Sequence, residues 1–134
     1  MKAIVYGLEA LCQSSLTEPN FVAKYQTICA RAESGYVKRF SELIDSLGFL
    51  ANLKIEDITS LEIFGAWEEF CVVEGIVEAL NLGINVNVPK GYVAALKERK
   101  MSFRELVALK SGGKSFGYYQ DEEFHYFTPN NTKL

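Results

Sequence analysis

The residues that could do chemistry in this chain are mostly carboxylates, and they are concentrated in one stretch. Between residues 42 and 78 the sequence has nine acidic side chains and one basic side chain, a net charge of −8. Five of them fall on one predicted helix, residues 59–82, and four of these could suggest a carboxylate metal site: Glu68, Glu69, Glu74 and Glu78. A di-iron bundle would also need a Glu-x-x-His motif on each of two helices. The chain has a single histidine, His125, so we predict no metal site and no cofactor.

Glu68 is the carboxylate to inspect first, because it lies in a seam of small residues that includes Gly65 and Gly75. Helix-interior glycine is unfavourable by about 1 kcal/mol relative to alanine, so the seam predicts a close neighbour. We expect Glu68 to be a buried, paired structural carboxylate, with Arg31 and Arg39 as the candidate partners. A buried carboxylate without a partner is instead a candidate acid or base. A small enzyme or ligand-binding domain is therefore one alternative function.

Nucleophilic and phosphate-binding chemistry has little support. The segment from Ser111 to Ser115, SGGKS, resembles a phosphate-binding loop but lacks its first glycine and follows a helix instead of a strand. The three cysteines are widely spaced, which favours free thiols in a reducing compartment over disulfides or zinc. We therefore predict a cytoplasmic protein with no catalytic residues.

An interaction with a protein partner is the function that we favour from the sequence. An acidic surface steers a basic partner, and exposed tyrosines are enriched at interfaces. We predict a non-enzymatic binding protein of the inhibitor, immunity or regulatory-adaptor type. Its candidate interface combines an acidic helical surface with a tyrosine-rich hairpin: Glu62, Glu69, Glu74, Glu78, Tyr118, Tyr119, His125 and Tyr126.

Nucleic acid is the alternative partner, because residues 90–114 carry seven basic and two acidic side chains. Two short helices followed by a hairpin, over residues 90–128, would have the order of a winged helix-turn-helix. The candidate contacts are Lys97, Arg99, Lys100, Arg104, Lys110 and Lys114. The acidic hairpin tip, Asp121 to Glu123, and a pI near 5.2 argue against phosphate contact.

The longest helical pattern runs from Thr59 to Gly83, and it is apolar on nearly every side. A helix with that pattern must be enclosed by other elements. We therefore predict a mainly α fold with a minor β component: five or six helices around a central buried helix at 59–82, with a C-terminal β-hairpin at 115–128. An isolated hairpin is marginal in water, so we expect it to pack on helices or to gain a third strand.

The remaining elements follow from periodicity and capping. Residues 1–13 fit either a helix, which we favour, or a short strand over KAIVY. We predict helices from a capping box at Ser15 to Gly35 and over residues 36–48, an extended segment at 84–88, and a helix that begins at Pro89. Ser102 and Glu105 form the clearest capping box, which predicts a short helix after Met101.

Length and hydropathy predict one globular domain, residues 1–128, followed by a C-terminal tail at 129–134. No apolar run reaches the roughly 18 residues of a membrane span, and Glu9 interrupts the apolar N-terminal stretch. We therefore expect no membrane association and no signal peptide. The sequence leaves the oligomeric state open.

Overall fold

A mixed β-sheet of seven strands organises the part of the chain that this computed structural model describes, residues 2–98 and 100–129. Its order is β2-β1-β3-β4-β7-β6, and the short β5 pairs with the end of β3. The strands are β1 (Lys2–Tyr6), β2 (Val37–Phe40), β3 (Ser60–Ala66), β4 (Asn85–Pro89), β5 (Val93–Ala94), β6 (Phe116–Gln120) and β7 (Phe124–Pro129). The first five pair in parallel, whereas β7 and β6 continue the sheet antiparallel.

Five helices in the described residues cover the sheet from both sides: α1 (Leu8–Ser15), α2 (Asn20–Glu33), α3 (Leu43–Ile55), α4 (Val73–Asn81) and α5 (Phe103–Lys110). One core layer packs α1 and α2 against β1, β3 and β5. The larger layer packs α3, α4 and α5 against β1, β3, β4 and β7. The fold is therefore an α/β fold, and the prediction of a mainly α domain with a minor hairpin is wrong.

The predicted central helix at 59–82 is three elements. Its first part is strand β3, its middle is a π-helical turn from Glu68 to Val72, and only its last part is helix α4. A parallel strand covered on both faces is apolar at consecutive positions, as a fully buried helix is. Ile63 lies in one core layer and Phe64 in the other, so neither neighbour is exposed and the alternation that marks a strand is lost.

The same ambiguity applies to residues 1–13, where we favoured a helix over a strand. They begin with β1, inside the sheet, where Ile4, Val5 and Tyr6 are all buried, and α1 follows. The prediction of a helix at 36–48 is wrong for another reason: β2 is an edge strand with exposed Lys38 and Arg39, and the helical spacing of apolar residues runs on from Phe40 of β2 into α3. Pro89 ends β4, and the described residues from there to Glu98 form turns and β5 with no helix.

Several local predictions are confirmed. Helix α2 ends at Glu33, just before the predicted limit, and the segment 84–88 is extended as β4. Ser102 caps α5 by accepting a hydrogen bond from the Glu105 amide, while the Glu105 carboxylate accepts one from the Ser102 amide. The hairpin forms as β6 and β7, and it gains β4 as the third strand that an isolated hairpin needs.

The small-residue seam also has the expected close neighbour, which is Tyr6. Gly65 has a φ of 115°, and a Cβ there would collide with the Tyr6 backbone. Gly75, one layer away in α4, lies under the Tyr6 ring: an added Cβ would be 2.6 Å from Cε2. The Tyr6 hydroxyl shares a 2.7 Å hydrogen bond with the buried Ser46 hydroxyl of α3. These contacts bring α3 and α4 close to the sheet.

The predicted C-terminal tail begins with Pro129, which is the last residue of β7 in the structure. The other residues of that prediction, 130–134, lie outside the described part of the chain. Within residues 2–98 and 100–129, none of the helices has the length and apolarity that crossing a bilayer requires.

Candidate functional site

The carboxyl ends of the parallel strands form the edge of the sheet where a ligand site is most expected. The helix that follows β1 lies on one face, and the helix that follows β3 lies on the other. In open α/β sheets, ligands bind in the crevice outside the carboxyl ends, near the point where the winding reverses. Here Gly7 follows β1 with a φ of 66°, and a Cβ on it would collide with the Ala66 carbonyl.

The gap directly between β1 and β3 is narrowed by Trp67, whose ring contacts Phe21 of α2 edge-on at 5.2 Å. A cleft of about 140 Å³ lies one strand further along, beyond the ends of β3 and β4. Four polar side chains line it, from four different elements or loops: Lys24, Glu68, Lys90 and His125. The rest of its lining is Val88 and Pro89 of β4, Gly91, Val93 of β5 and Phe103 of α5.

Glu68 supplies the buried carboxylate of this cleft. It is 9% exposed and begins the π-helical turn directly after β3. Of the two candidate partners that we predicted for it, Arg39 lies exposed on the edge strand β2, and Arg31 is engaged with Glu62. The Arg31 guanidinium donates from Nε and one terminal nitrogen to the two carboxylate oxygens of Glu62, at 2.8 and 2.9 Å. That pairing holds the pKa of Arg31 above its usual value.

His125 reaches the cleft from β7, where it lies opposite Val88 of β4. Its Nδ1 is 2.7 Å from the Tyr118 hydroxyl, and its ring contacts Phe103 edge-on at 5.0 Å. Burial raises the pKa of Tyr118, although the nearby Arg104 charge lowers it, so the hydroxyl stays protonated at neutral pH. When that hydroxyl donates to Nδ1, a neutral imidazole carries its proton on Nε2.

Two lysines stand at the mouth of the cleft, and both bind neutral acceptors. The Lys24 ammonium donates to the Gly91 carbonyl at 3.2 Å, and the Lys90 ammonium donates to Oε1 of Gln120 at 2.6 Å. Among the residues that the structure describes, neither lysine forms an ion pair. The cleft therefore has a carboxylate at depth and positive charge at its rim.

The acidic surface predicted from the sequence is not one surface. Glu62 lies on β3 and is held by Arg31, whereas the Glu69 carboxylate accepts hydrogen bonds from the Leu96 and Lys97 amides at 2.9 Å each. Only Glu74 and Glu78 share a helix, α4, and the Glu74 carboxylate is 3.8 Å from the Lys110 ammonium. Most of these carboxylates have intramolecular roles.

The predicted hairpin residues divide between the two faces of the sheet. Tyr118 and His125 face the helix layer of α4 and α5. Tyr119 and Tyr126 lie opposite each other on the other face, with their rings stacked at 5.3 Å, and Tyr119 is 63% exposed. Alternation along the hairpin predicts Tyr118 and Tyr126 on one face and Tyr119 and His125 on the other, and the observed register is different, so that assignment is wrong.

The basic residues do not form the two-helix unit of a winged helix-turn-helix, since α5 is the only helix in the described residues from 90 to 128. Lys97 and Lys100 border a shallow depression that they share with Glu69, Glu98 and Glu105, so its charge is mixed. Arg104 and Lys110 lie on α5, and Lys114 follows it. Arg99 lies outside the described residues.

A larger cleft, about 550 Å³, lies at the opposite, amino edge of the parallel strands. Lys54, Ser111, Lys114 and Ser115 border it. It adjoins the carboxyl terminus of α4 at Asn81, where the helix dipole disfavours anions. Unlike the smaller cleft, it has no buried titratable side chain in its lining. We therefore place the candidate site at the carboxyl edge.

Lys24, Lys90 and Gly91 were missed by the sequence analysis. The segment 84–88 could have indicated Lys90 and Gly91, since a loop directly after a parallel strand lies at the ligand-binding edge of the sheet. No local signal marks Lys24, which lies on α2. We predicted that segment to be extended but did not assign it to a parallel sheet, so the loop after it had no special meaning.

Comparisons of the chain with known protein families, with curated proteins and with solved structures found no match. Functional inference therefore depends on the geometry of the carboxyl-edge cleft and of the hairpin.

Proposed function

We propose that this protein binds a small polar ligand with an anionic group in the carboxyl-edge cleft. The observation that carries the proposal is the position of Glu68, a carboxylate only 9% exposed in the wall of a cleft at the carboxyl ends of β3 and β4. Pockets with a few convergent polar groups at this edge are typical ligand sites of α/β folds.

The lining chemistry supports a class of ligand. A carboxylate at depth accepts hydrogen bonds from hydroxyl or N–H groups, and the His125 ring adds a polar edge beside it. Lys24 and Lys90, at the mouth, complement a phosphate or carboxylate. A volume of about 140 Å³ is below the roughly 300 Å³ of a typical ligand pocket, so the cleft can enclose one polar part of a ligand and leaves the rest at its mouth. Sugar phosphates of five or six carbons combine hydroxyls, for the depth of the cleft, with an anionic group for its mouth.

The test is a calorimetric titration with a panel of pentose and hexose phosphates, their parent sugars and inorganic phosphate. We expect at least one sugar phosphate to bind, and Glu68→Gln to weaken it about tenfold or more, because the carboxylate accepts hydrogen bonds from the ligand hydroxyls. Lys90→Met should remove the preference for the phosphorylated sugar over its parent. Glu78→Gln, on the surface of α4, is the matched control and should bind normally.

Two outcomes contradict the proposal: no phosphorylated sugar binds, or Glu68→Gln and Glu78→Gln bind the same ligand equally. The thermal midpoint of each variant without ligand separates a folding defect from a binding defect. A Glu68→Gln protein that keeps its midpoint and loses binding supports a direct role for the carboxylate.

Contact with a protein partner is a second proposal, and one observation favours it. The Tyr119 ring is 63% exposed and stacks on Tyr126, on a face of the sheet where no described residue of β6 or β7 belongs to the core layer of α1 and α2. Arg31 of α2 reaches β7 at the Phe124 ring, 5.8 Å from its centre. Exposed, pre-ordered tyrosines are typical of contact surfaces.

A photo-crosslinking amino acid at position 119 should capture a partner in the native cells, whereas the same probe at the fully exposed Tyr36 should not. Equal crosslinking from both positions would count against this proposal.

A further inference from the structure

We propose that β6 pairs with β6 of a second copy of this chain, in antiparallel register about Tyr118, to join the two sheets into one. The inference concerns the edge of the sheet and is independent of the ligand cleft. Strand β6 is the last strand of the described sheet, so one side of it has no neighbour there.

The hydrogen bonds of the hairpin show which backbone groups of β6 point to that free side. The Asp121 amide donates to the Phe124 carbonyl at 3.1 Å, which makes these two residues a hydrogen-bonded pair. Such pairs alternate along an antiparallel ladder. Tyr119 and Gly117 therefore bond to β7, while Phe116, Tyr118 and Gln120 direct their amides and carbonyls outward.

The two edges of the sheet differ in how they are protected. At the other edge, β2 carries Lys38 and Arg39, both exposed, and charged side chains of this kind oppose pairing with another strand. Strand β6, with the sequence FGYYQ, has no charged residue and no proline over its five positions. It therefore lacks the features that usually prevent an edge strand from pairing with a strand of another molecule.

A two-fold axis at Tyr118 fits the side chains of β6 as well as its backbone. In that register Phe116 lies opposite Gln120, and both direct their backbone groups outward, so the whole strand is paired. Gly117 lies opposite Tyr119, so the exposed Tyr119 ring meets no side chain from Gly117, whose Cβ position is filled by the Thr128 hydroxyl.

Charge complementarity extends the match beyond the strand. The same register places Lys114, just before β6, opposite Glu122 in the turn just after it. Both side chains are exposed, and the two-fold axis makes the contact twice. The Lys114 ammonium now makes only an exposed 3.3 Å hydrogen bond to the Asn81 side chain, so it is easily redirected. Self-complementary contacts of this kind are those of an isologous dimer.

The expected dimer is weak, because a short strand edge buries less than the roughly 1,200 Å² of a stable interface. Sedimentation velocity from about 10 μM to about 1 mM should show a reversible monomer–dimer equilibrium. Gln120→Pro removes an outward N–H twice per dimer and should weaken the dimer about tenfold or more. Gln120→Ala keeps that N–H and is the control for the lost side-chain bond to Lys90.

A charge exchange tests the register. Lys114→Glu and Glu122→Lys should each weaken dimerisation, since each places like charges opposite one another, and the double variant should restore it. A monomer at every concentration would overturn the proposal. A dimer that Gln120→Pro leaves unchanged, or single charge variants that dimerise as well as the double variant, would overturn it equally. Circular dichroism of each variant confirms that the fold is retained.

Discussion

At the scale of single residues, the candidate site depends on a few polar side chains. Each lies on an element whose position is set by packing against parts of the chain that are distant in sequence. Glu68 could be singled out from the sequence because it lies among small and apolar residues, and its burial is as expected. Arg31, one of the two partners that we expected for Glu68, pairs with Glu62 instead, because the packing of α2 on β3 brings those two side chains together. The burial of a residue can be predicted from its neighbours in the sequence, but its partners from distant parts of the chain depend on the fold.

Asp121 gives a residue-scale prediction in the hairpin turn. Its carboxylate accepts hydrogen bonds at 2.8 Å from the Glu123 and Phe124 amides and from the Tyr126 hydroxyl. The backbone hydrogen bonds, above all that from Phe124, lower the pKa of Asp121 below its usual 3.8. A carboxyl group whose pKa is lowered by folding stabilises the protein above the unfolded-state pKa, and that stabilisation is lost as the pH falls through the folded-state value.

We therefore expect Asp121→Ala to reduce the free energy of unfolding at pH 7, and the difference from the native protein to shrink below about pH 4. Urea unfolding at a series of pH values measures both effects. Glu122→Ala, in the same turn, is the matched control. A deficit for Asp121→Ala that stays constant down to pH 2 would show that the charged carboxylate is not what stabilises the turn.

At the scale of elements, an amphipathic helix and a capping motif were predictable from local patterns, whereas most of the strands were not. Helix α2 has an exposed face, and the capping box at Ser102 is a short-range motif, so both were predictable. Strands β1 and β3 lie in the middle of the sheet between two helix layers, and their consecutive apolar residues match a buried helix equally well. An alternation of helices and strands along the chain would have predicted an α/β fold, but the apolar residues of the strands matched helical spacing and were assigned to helices.

The packing of α4 on β1 gives an element-scale prediction. A Cβ at position 75 would be 2.6 Å from Tyr6 Cε2 and 2.7 Å from its hydroxyl oxygen. Overpacking by Gly75→Ala should cost about 1–3 kcal/mol, and helix propensity should recover about 1 kcal/mol of it, so we expect the free energy of unfolding to fall by up to about 2 kcal/mol. Thermal and urea unfolding measure it.

Gly48→Ala is the matched control, because Gly48 also lies in a helix but has nothing within 4 Å of an added Cβ. It should stabilise the protein by up to about 1 kcal/mol. Equal effects of the two substitutions would contradict the close contact between α4 and Tyr6.

At the scale of the whole molecule, the sheet brings together residues that the sequence keeps far apart. Lys24 of α2, Glu68 after β3, Lys90 after β4 and His125 of β7 line one cleft although they span a hundred positions. The sequence analysis could name Glu68 and His125 separately, but only the strand order places them at the same edge. The same order leaves β6 as an edge strand and separates Tyr118 from Tyr119 by face. These long-range relations account for the site, and they could not be read from local patterns.

The most direct test of this account is where a small anionic ligand binds. In a ¹H–¹⁵N correlation spectrum titrated with the tightest sugar phosphate of the panel, we expect the largest shifts at the amides of Glu68, Gly91 and His125, which line the carboxyl-edge cleft. The amides of Lys54, Gly83 and Lys114, which border the larger cleft at the amino edge, serve as the internal comparison. Saturable shifts confined to the first group are the predicted result. Shifts confined to the second group, or spread evenly over the surface, would contradict the assignment of the site.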